Sequence, residues 1–110
     1  EEGKTALRRG NYPDAELLFG QAIYFDNSTA DYHFFYGLSL MKLKKFKEAE
    51  KAIANALKRE PMNAQYLAEL GFVYLELGFL KTAQGFFERS LKVSPDNARA
   101  TEGLKKTGAL

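Results

Sequence analysis

Few residues in this sequence could do chemistry on their own. Among 110 residues there is no Cys and one His, His33. Without thiols there is no disulfide, iron–sulfur cluster, thiolate zinc site or Cys nucleophile. One imidazole does not make a multi-His metal site, and no stretch spells a carboxylate Ca²⁺ loop. His33 therefore reads as a packed or partly exposed ring rather than a ligand. Ser39, Ser90 and Ser94 have no paired base and no nucleophile-elbow motif. The nine Gly are scattered and never form a Gly-rich phosphate loop behind a strand. With no nucleophile, metal or cofactor motif, the expectation is a non-enzyme without a cofactor. Lys42, Lys44, Lys45, Lys47 and Lys51 form a basic cluster. It would suit an acidic partner or nucleic acid, but it reads first as a solvated turn around a packed Phe46.

Composition narrows the partner classes. Lys plus Arg is 16 and Asp plus Glu is 14, a net charge of +2. That balance lacks the electrostatic footprint of a nucleic-acid binder. Hydrophobic residues make up 45% and charged residues 27%, ordinary globular values, and the length fits one domain. No apolar run approaches the roughly 18 residues of a membrane span, so no membrane insertion is expected. The chain opens at Glu1 without a basic-then-apolar leader, so no signal peptide is expected. A cytoplasmic location is expected, and the chain reads as a piece of a longer protein.

Whatever function exists must therefore be carried by a surface, and a repeat builds that surface. Gly37 and Gly71, Ala49 and Ala83, Pro61 and Pro95, Ile53 and Phe87, Leu57 and Leu91, and Ala30 and Ala64 are all separated by the same offset. One period earlier stand Gly3, Ala15, Phe19, Ala22 and Ile23, without a gap. Each period holds two helical stripes. Tyr32, Phe35, Tyr36, Leu40 and Leu43 form one, and Ala49, Ile53, Ala56 and Leu57 the next. Tyr66, Leu70, Tyr74 and Leu77, then Ala83, Phe87, Ser90 and Leu91, repeat the scheme. Pro61 and Pro95 stop the second helices. Gly78 and Gly10 suit left-handed caps, and Pro13 suits a first helical turn. Nothing alternates like a strand, and the connections are short, so consecutive helices must run antiparallel. Gly37 and Gly71, with no Cβ, let the two helices of a hairpin approach. Ala49 and Ala83 do so from the other side.

The pattern resembles the tetratricopeptide repeat, a helix–turn–helix unit of about 34 residues. Residues 30–63 supply His33, Tyr36, Gly37, Leu40, Ala49, Ile53, Ala56 and Pro61 at the signature places. Residues 64–97 supply Leu67, Leu70, Gly71, Tyr74, Ala83, Phe87, Ser90 and Pro95. Residues 1–29 match as a partial first repeat through Gly3, Ala6, Ala15, Phe19 and Ala22, with Asn27 where Pro is usual. Residues 98–110 begin like a fourth unit but carry Lys105 at the Gly place, and read as a capping helix. The resemblance implies an all-α solenoid of antiparallel helix–turn–helix repeats, wound as a right-handed superhelix, forming a single domain over 1–110.

It also implies protein–protein recognition. In this family the first helix of each repeat lines a concave groove for a peptide or helix. Carried over by position, the groove residues are Lys4, Leu7 and Arg8; Asp31, Phe34, Leu38, Met41 and Lys42; and Gln65, Ala68, Phe72, Leu75 and Glu76. Arg99, Glu102 and Lys106 of the capping helix extend the set. Phe34, Leu38, Met41, Phe72 and Leu75 make its middle apolar, which fits apolar anchors from a partner, unless they serve as core between repeats. Members that hold the acidic C-termini of heat-shock chaperones use Lys, Asn and Arg at fixed groove places. Here those places hold Leu38, Phe35, Gln65 and Glu69, and only Lys4 is basic. The resemblance thus implies no carboxylate clamp, with Glu69 repelling such a ligand. The expected function is a module or scaffold binding a protein or peptide partner. The alternatives are self-association through the end repeats into a homo-oligomer, or an accessory role beside a catalytic or regulatory domain.

Overall fold

Seven α-helices and no strand are present among the described residues of the computed structural model, which are residues 2–109. In chain order they are α1 Glu2–Arg8, α2 Tyr12–Phe25, α3 Ala30–Lys42, α4 Phe46–Arg59, α5 Ala64–Glu76, α6 Leu80–Val93 and α7 Ala98–Lys106. The period is legible in their ends. α3, α5 and α7 begin one full period apart, as do α2, α4 and α6. The chain divides into two compact units, Glu1–Arg59 with α1–α4 and Glu60–Leu110 with α5–α7.

The same chemistry starts and stops each helix. α5 and α7 begin on Asn63 and Asn97, whose side chains accept the N–H of Tyr66 and of Ala100, both at 3.0 Å. α4 and α6 end two residues before Pro61 and Pro95. α2 ends in the same register without a Pro. There Asp26 turns to extended backbone, and its carboxylate accepts from the Ser28 N–H, the Ser28 hydroxyl and the Thr29 hydroxyl. Those bonds, Ser28's first, hold the Asp26 carboxyl below its ordinary 3.8.

The first helices close with a Schellman pair. Gly10 donates to Leu7 and Asn11 to Ala6; Gly78 donates to Leu75 and Phe79 to Tyr74. Lys44 and Lys45 make the same bonds to Met41 and Leu40. Lys44 therefore sits at φ +63, in the left-handed region that Gly10 and Gly78 enter freely.

In the first unit Phe19 is buried with Ala6 and Ala15, with Leu7, Leu18, Phe35 and Tyr36 packed around them. α3 and α4 meet at Gly37, where an added Cβ would stand 2.5 Å from Ile53 Cγ1. In the second unit a Cβ on Gly71 would stand 2.5 Å from the Phe87 ring. The close approach expected from the two glycines is thus present. Gly103 of α7 presses on the same ring from its own helix, a contact the repeat register did not reveal. α7 packs on both α5 and α6. The buried polar groups are paired: Ser90 donates to the Ala64 carbonyl at 2.8 Å, and His33 Nε2 donates to the Asn27 carbonyl at 2.9 Å. His33 is a packed ring, and no group of His, Asp and Glu among the described residues is arranged to hold a metal ion.

Candidate functional site

In the first unit the surface positions fall on α1 and α3. Asp31, Phe35, Leu38 and Lys42 recur at helical spacing and share one stripe of α3. Arg8, Asp31 and Lys42 are exposed, and Lys4, Leu7, Leu38 and Met41 half-buried. Lys4 of α1 reaches across to α3 and holds its ammonium 4.9 Å from the centre of the Phe35 ring. Phe35 stacks on Phe19 with centroids 5.5 Å apart and meets Phe34 edge-on at 5.4 Å. The unit thus presents a cation on an aromatic shelf beside a half-open aliphatic strip. Arg8 stays at the rim, donating to the Thr5 hydroxyl at 3.1 Å.

The second unit answers the same register differently. Gln65 and Glu76 are exposed and Leu75 is half-buried. Arg99 of α7 donates to Glu69 of α5 through Nε at 3.0 Å and Nη2 at 3.1 Å, a two-pronged fit of guanidinium to carboxylate. It also donates to Glu102 at 3.3 Å, and Lys106 stands 3.7 Å from the other Glu102 oxygen. The guanidinium lies 4.0 Å over the Phe72 ring and the Lys106 ammonium 5.7 Å from it. Phe87 meets Phe72 edge-on at 4.9 Å. The hydrogen bond that Arg99 donates to Glu69 raises the guanidinium pKa above its ordinary value, so the group is charged at any working pH.

Three residues placed in the groove by position are core in this structure. Phe34 and Ala68 have 0% of their surface exposed and Phe72 has 6%. Phe34 and Ala68 hold the same place in successive repeats, and that place points inward in both. Phe72 is closed off by the Arg99 and Lys106 side chains. The apolar part of the surface therefore falls to Leu7, Leu38, Met41 and Leu75. Glu69 is not a bare negative charge, as the sequence implied, but half of an ion pair. Of the capping-helix residues, Arg99 and Lys106 lie against Phe72 of α5, and Glu102 pairs with both of them on its own helix. Phe35, expected in the apolar stripe of α3 and at a clamp place, also lies under Lys4, a contact the repeat pattern does not imply. Its sign was a basic residue on α1 and an aromatic on the neighbouring first helix.

Such paired helices with a shared register define a helical-repeat protein of the solenoid class. The sequence profile of the family described as "Tetratricopeptide repeat" matches residues 1–53 and 36–98, and the chain belongs to that family. Solved structures agree. The second tetratricopeptide domain of human RPAP3, determined in complex with the HSP70 peptide SGPTIEEVD, is 26% identical. Its TM-score is 0.92, over 97% of this chain and 89% of that one. The first such domain of Spaghetti (RPAP3), bound to an HSP90 peptide, is 24% identical at TM-score 0.94, covering 98% and 86%. The Yersinia enterocolitica type III secretion chaperone SycD, in complex with a peptide of the translocator YopD, shares the fold at 12% identity. Its TM-score is 0.87, covering 96% and 86%. No helix among the described residues is long and apolar enough to cross a membrane.

Proposed function

We propose that this chain is a protein-interaction module that takes a peptide or helix of a partner protein on its first helices. The observation that carries the reading is the α1–α3 surface of the first unit. There Leu7, Leu38 and Met41 remain partly open between Lys4, Arg8, Asp31 and Lys42. Half-open aliphatic side chains inside a charged rim are the composition of a recognition surface. Leu75, with Gln65 and Glu76, offers a smaller patch of the same kind in the second unit. Support by analogy comes from RPAP3 and SycD, each solved with a peptide. The ligand differs in chemistry from the acidic-ended RPAP3 peptides. Leu38 and Gln65 stand at clamp places, and Glu69 already holds Arg99, so an acidic C-terminus meets no set of free cations.

The test begins with peptides selected by display on the immobilised chain, then measured by fluorescence anisotropy. The selected peptides carry apolar anchors, and Leu38→Glu weakens them at least about tenfold, or 1.4 kcal/mol, while the helical signal stays intact. The HSP70 peptide SGPTIEEVD binds more weakly than the selected ones. If selection returns acidic C-termini, or Leu38→Glu leaves binding unchanged, the reading fails. If the chain buries this surface by dimerising, light scattering across concentration shows it and favours self-association.

A further inference from the structure

The second helices α2, α4 and α6 can be laid in register, because each begins one period after the last. Where α4 carries Lys47, Lys51, Lys58 and Arg59, α2 carries Pro13, Leu17, Tyr24 and Phe25, and all eight are exposed. α6 again places cations at two of these positions, Lys81 and Lys92. Hairpin packing therefore does not ask for apolar residues there. Yet Leu17 is 60% exposed, and Tyr24 and Phe25 are each 84% exposed. Those two rings meet each other edge-on, at 5.3 Å. With Gly20, Gln21 and Tyr36 of α3 they line an open trough of about 490 Å³. Gly20 keeps its floor low, since a Cβ there would already touch Tyr36 at 3.6 Å.

The charge carried by α2 and its flanking turns is one-sided. From Asn11 to Thr29 there is no Lys or Arg, while Asp14, Glu16 and Asp26 lie in that stretch. Glu16 is matched by Lys45 at 3.1 Å. Asp14 stands in the first turn of α2 and Asp26 at its C-cap. The last turn of α2 has no basic residue, where α4 has Lys58 and Arg59. The partial negative charge of the α2 carbonyl end therefore meets no cation from its own last turn. Elsewhere in the chain cations lie over Phe35, Phe72 and Phe86. Among the described residues none lies over Tyr24 or Phe25.

We propose that the outer face of α2 is a second docking surface, fitted to a cationic amphipathic helix of a partner protein. Leu17, Gln21 and Tyr24 make a ridge at i, i+4 and i+7, the spacing against which the side chains of another helix interdigitate. The partner's apolar row lies in the trough between Leu17 and Tyr36. Its Lys or Arg side chains reach Asp14 at one end, and Asp26 and the exposed rings at the other.

The probe is a fluorescent helical peptide of leucine and lysine, about 18 residues long to span five turns, with Leu at i, i+3, i+4 and i+7. Its control is the same peptide with Glu for Lys. The leucine–lysine peptide binds the chain, and the control binds at least about tenfold more weakly. Leu17→Lys with Tyr24→Lys, which gives α2 the residues α4 holds at those places, removes at least about tenfold of that binding without lowering the melting temperature. Leu17→Ser with Phe25→Ser, which leaves the charge alone, does the same. Equal binding of both peptides, or full binding by either double variant, overturns the proposal. So does a concentration-dependent dimer that the lysine variant abolishes, since a second copy would then be the occupant.

Discussion

The two units apply one backbone scheme to surfaces of opposite character. In Glu1–Arg59 the first-helix surface sets Lys4 over Phe35 and leaves Leu38 and Met41 half open. In Glu60–Leu110 the same register carries Glu69 in place of Phe35 and Phe72 in place of Leu38. There Arg99 and Lys106 close over the ring. The inward places do not vary in this way: Phe34 and Ala68, Ala49 and Ala83, and Ile53 and Phe87 are fully buried in both units. The repeat thus separates two demands. Inward residues are kept apolar by full burial, and outward residues are free to hold a partner, an ion pair or nothing.

The sharpest way to break that separation is to charge an inward place. Phe34→Glu would bury a carboxylate with no partner and should cost at least about 3 kcal/mol, seen as a collapse of the thermal melt. Leu38→Glu, one turn along on the open side, should shift the same melt by less than about 1 kcal/mol. If the two variants melt alike, the inward–outward division is wrong.

Next in size is overpacking the close approaches. Gly37→Leu and Gly71→Leu should each cost about 1–3 kcal/mol in denaturant unfolding. Gly71 should lie at the upper end, because Gly103 also presses on Phe87 and holds the ring from a second helix, whereas only α3 presses a glycine on Ile53. Equal losses at the two sites would remove this difference between the units.

Arg99→Ala should destabilise the second unit by about 1 kcal/mol, the sum of a half-exposed ion pair and a ring contact, already reduced for solvent screening. Arg99→Lys should recover only part of it, because an ammonium does not make the two-pronged bond to Glu69. Full recovery in a thermal melt would reduce the interaction to plain charge.

Smaller still is the turn at Lys44, whose φ of +63 sets it apart from Gly10 and Gly78. Lys44→Gly should stabilise by about 0.5 kcal/mol, as relief of the left-handed strain exceeds the entropy that Gly loses.

The least effect is expected from pH. The Asp26 pKa is lowered in the folded chain, so its contribution is present above the ordinary 3.8 and fades as pH falls through the lower folded value. Asp26→Asn should flatten that part of the acid melt. A profile identical to that of the native chain would deny the turn its role.

The period, the two helices per repeat and the Gly37 and Gly71 approaches were legible because packing fixes them. Lys44 was hidden because its side chain does not advertise its backbone angle, although its place one period from Gly10 and Gly78 does. Gly103 escaped because it falls two residues before Lys105, the place the repeat reserves for Gly. The surface was harder to read. Phe34, Leu38 and Phe72 are equally apolar, and nothing in their types separates core from surface. The Glu69–Arg99 pair lies 30 residues apart, so only the folded chain brings it together.

Backbone amide shifts, followed as a display-selected peptide is titrated into the labelled chain, report where the partner sits. The largest shifts should fall on α1 and α3, at Lys4, Leu7, Leu38 and Met41, and Phe34→Leu should leave their pattern in place. Shifts confined to α4, or spread evenly over the buried residues, would place the partner elsewhere and overturn the assignment of the first helices.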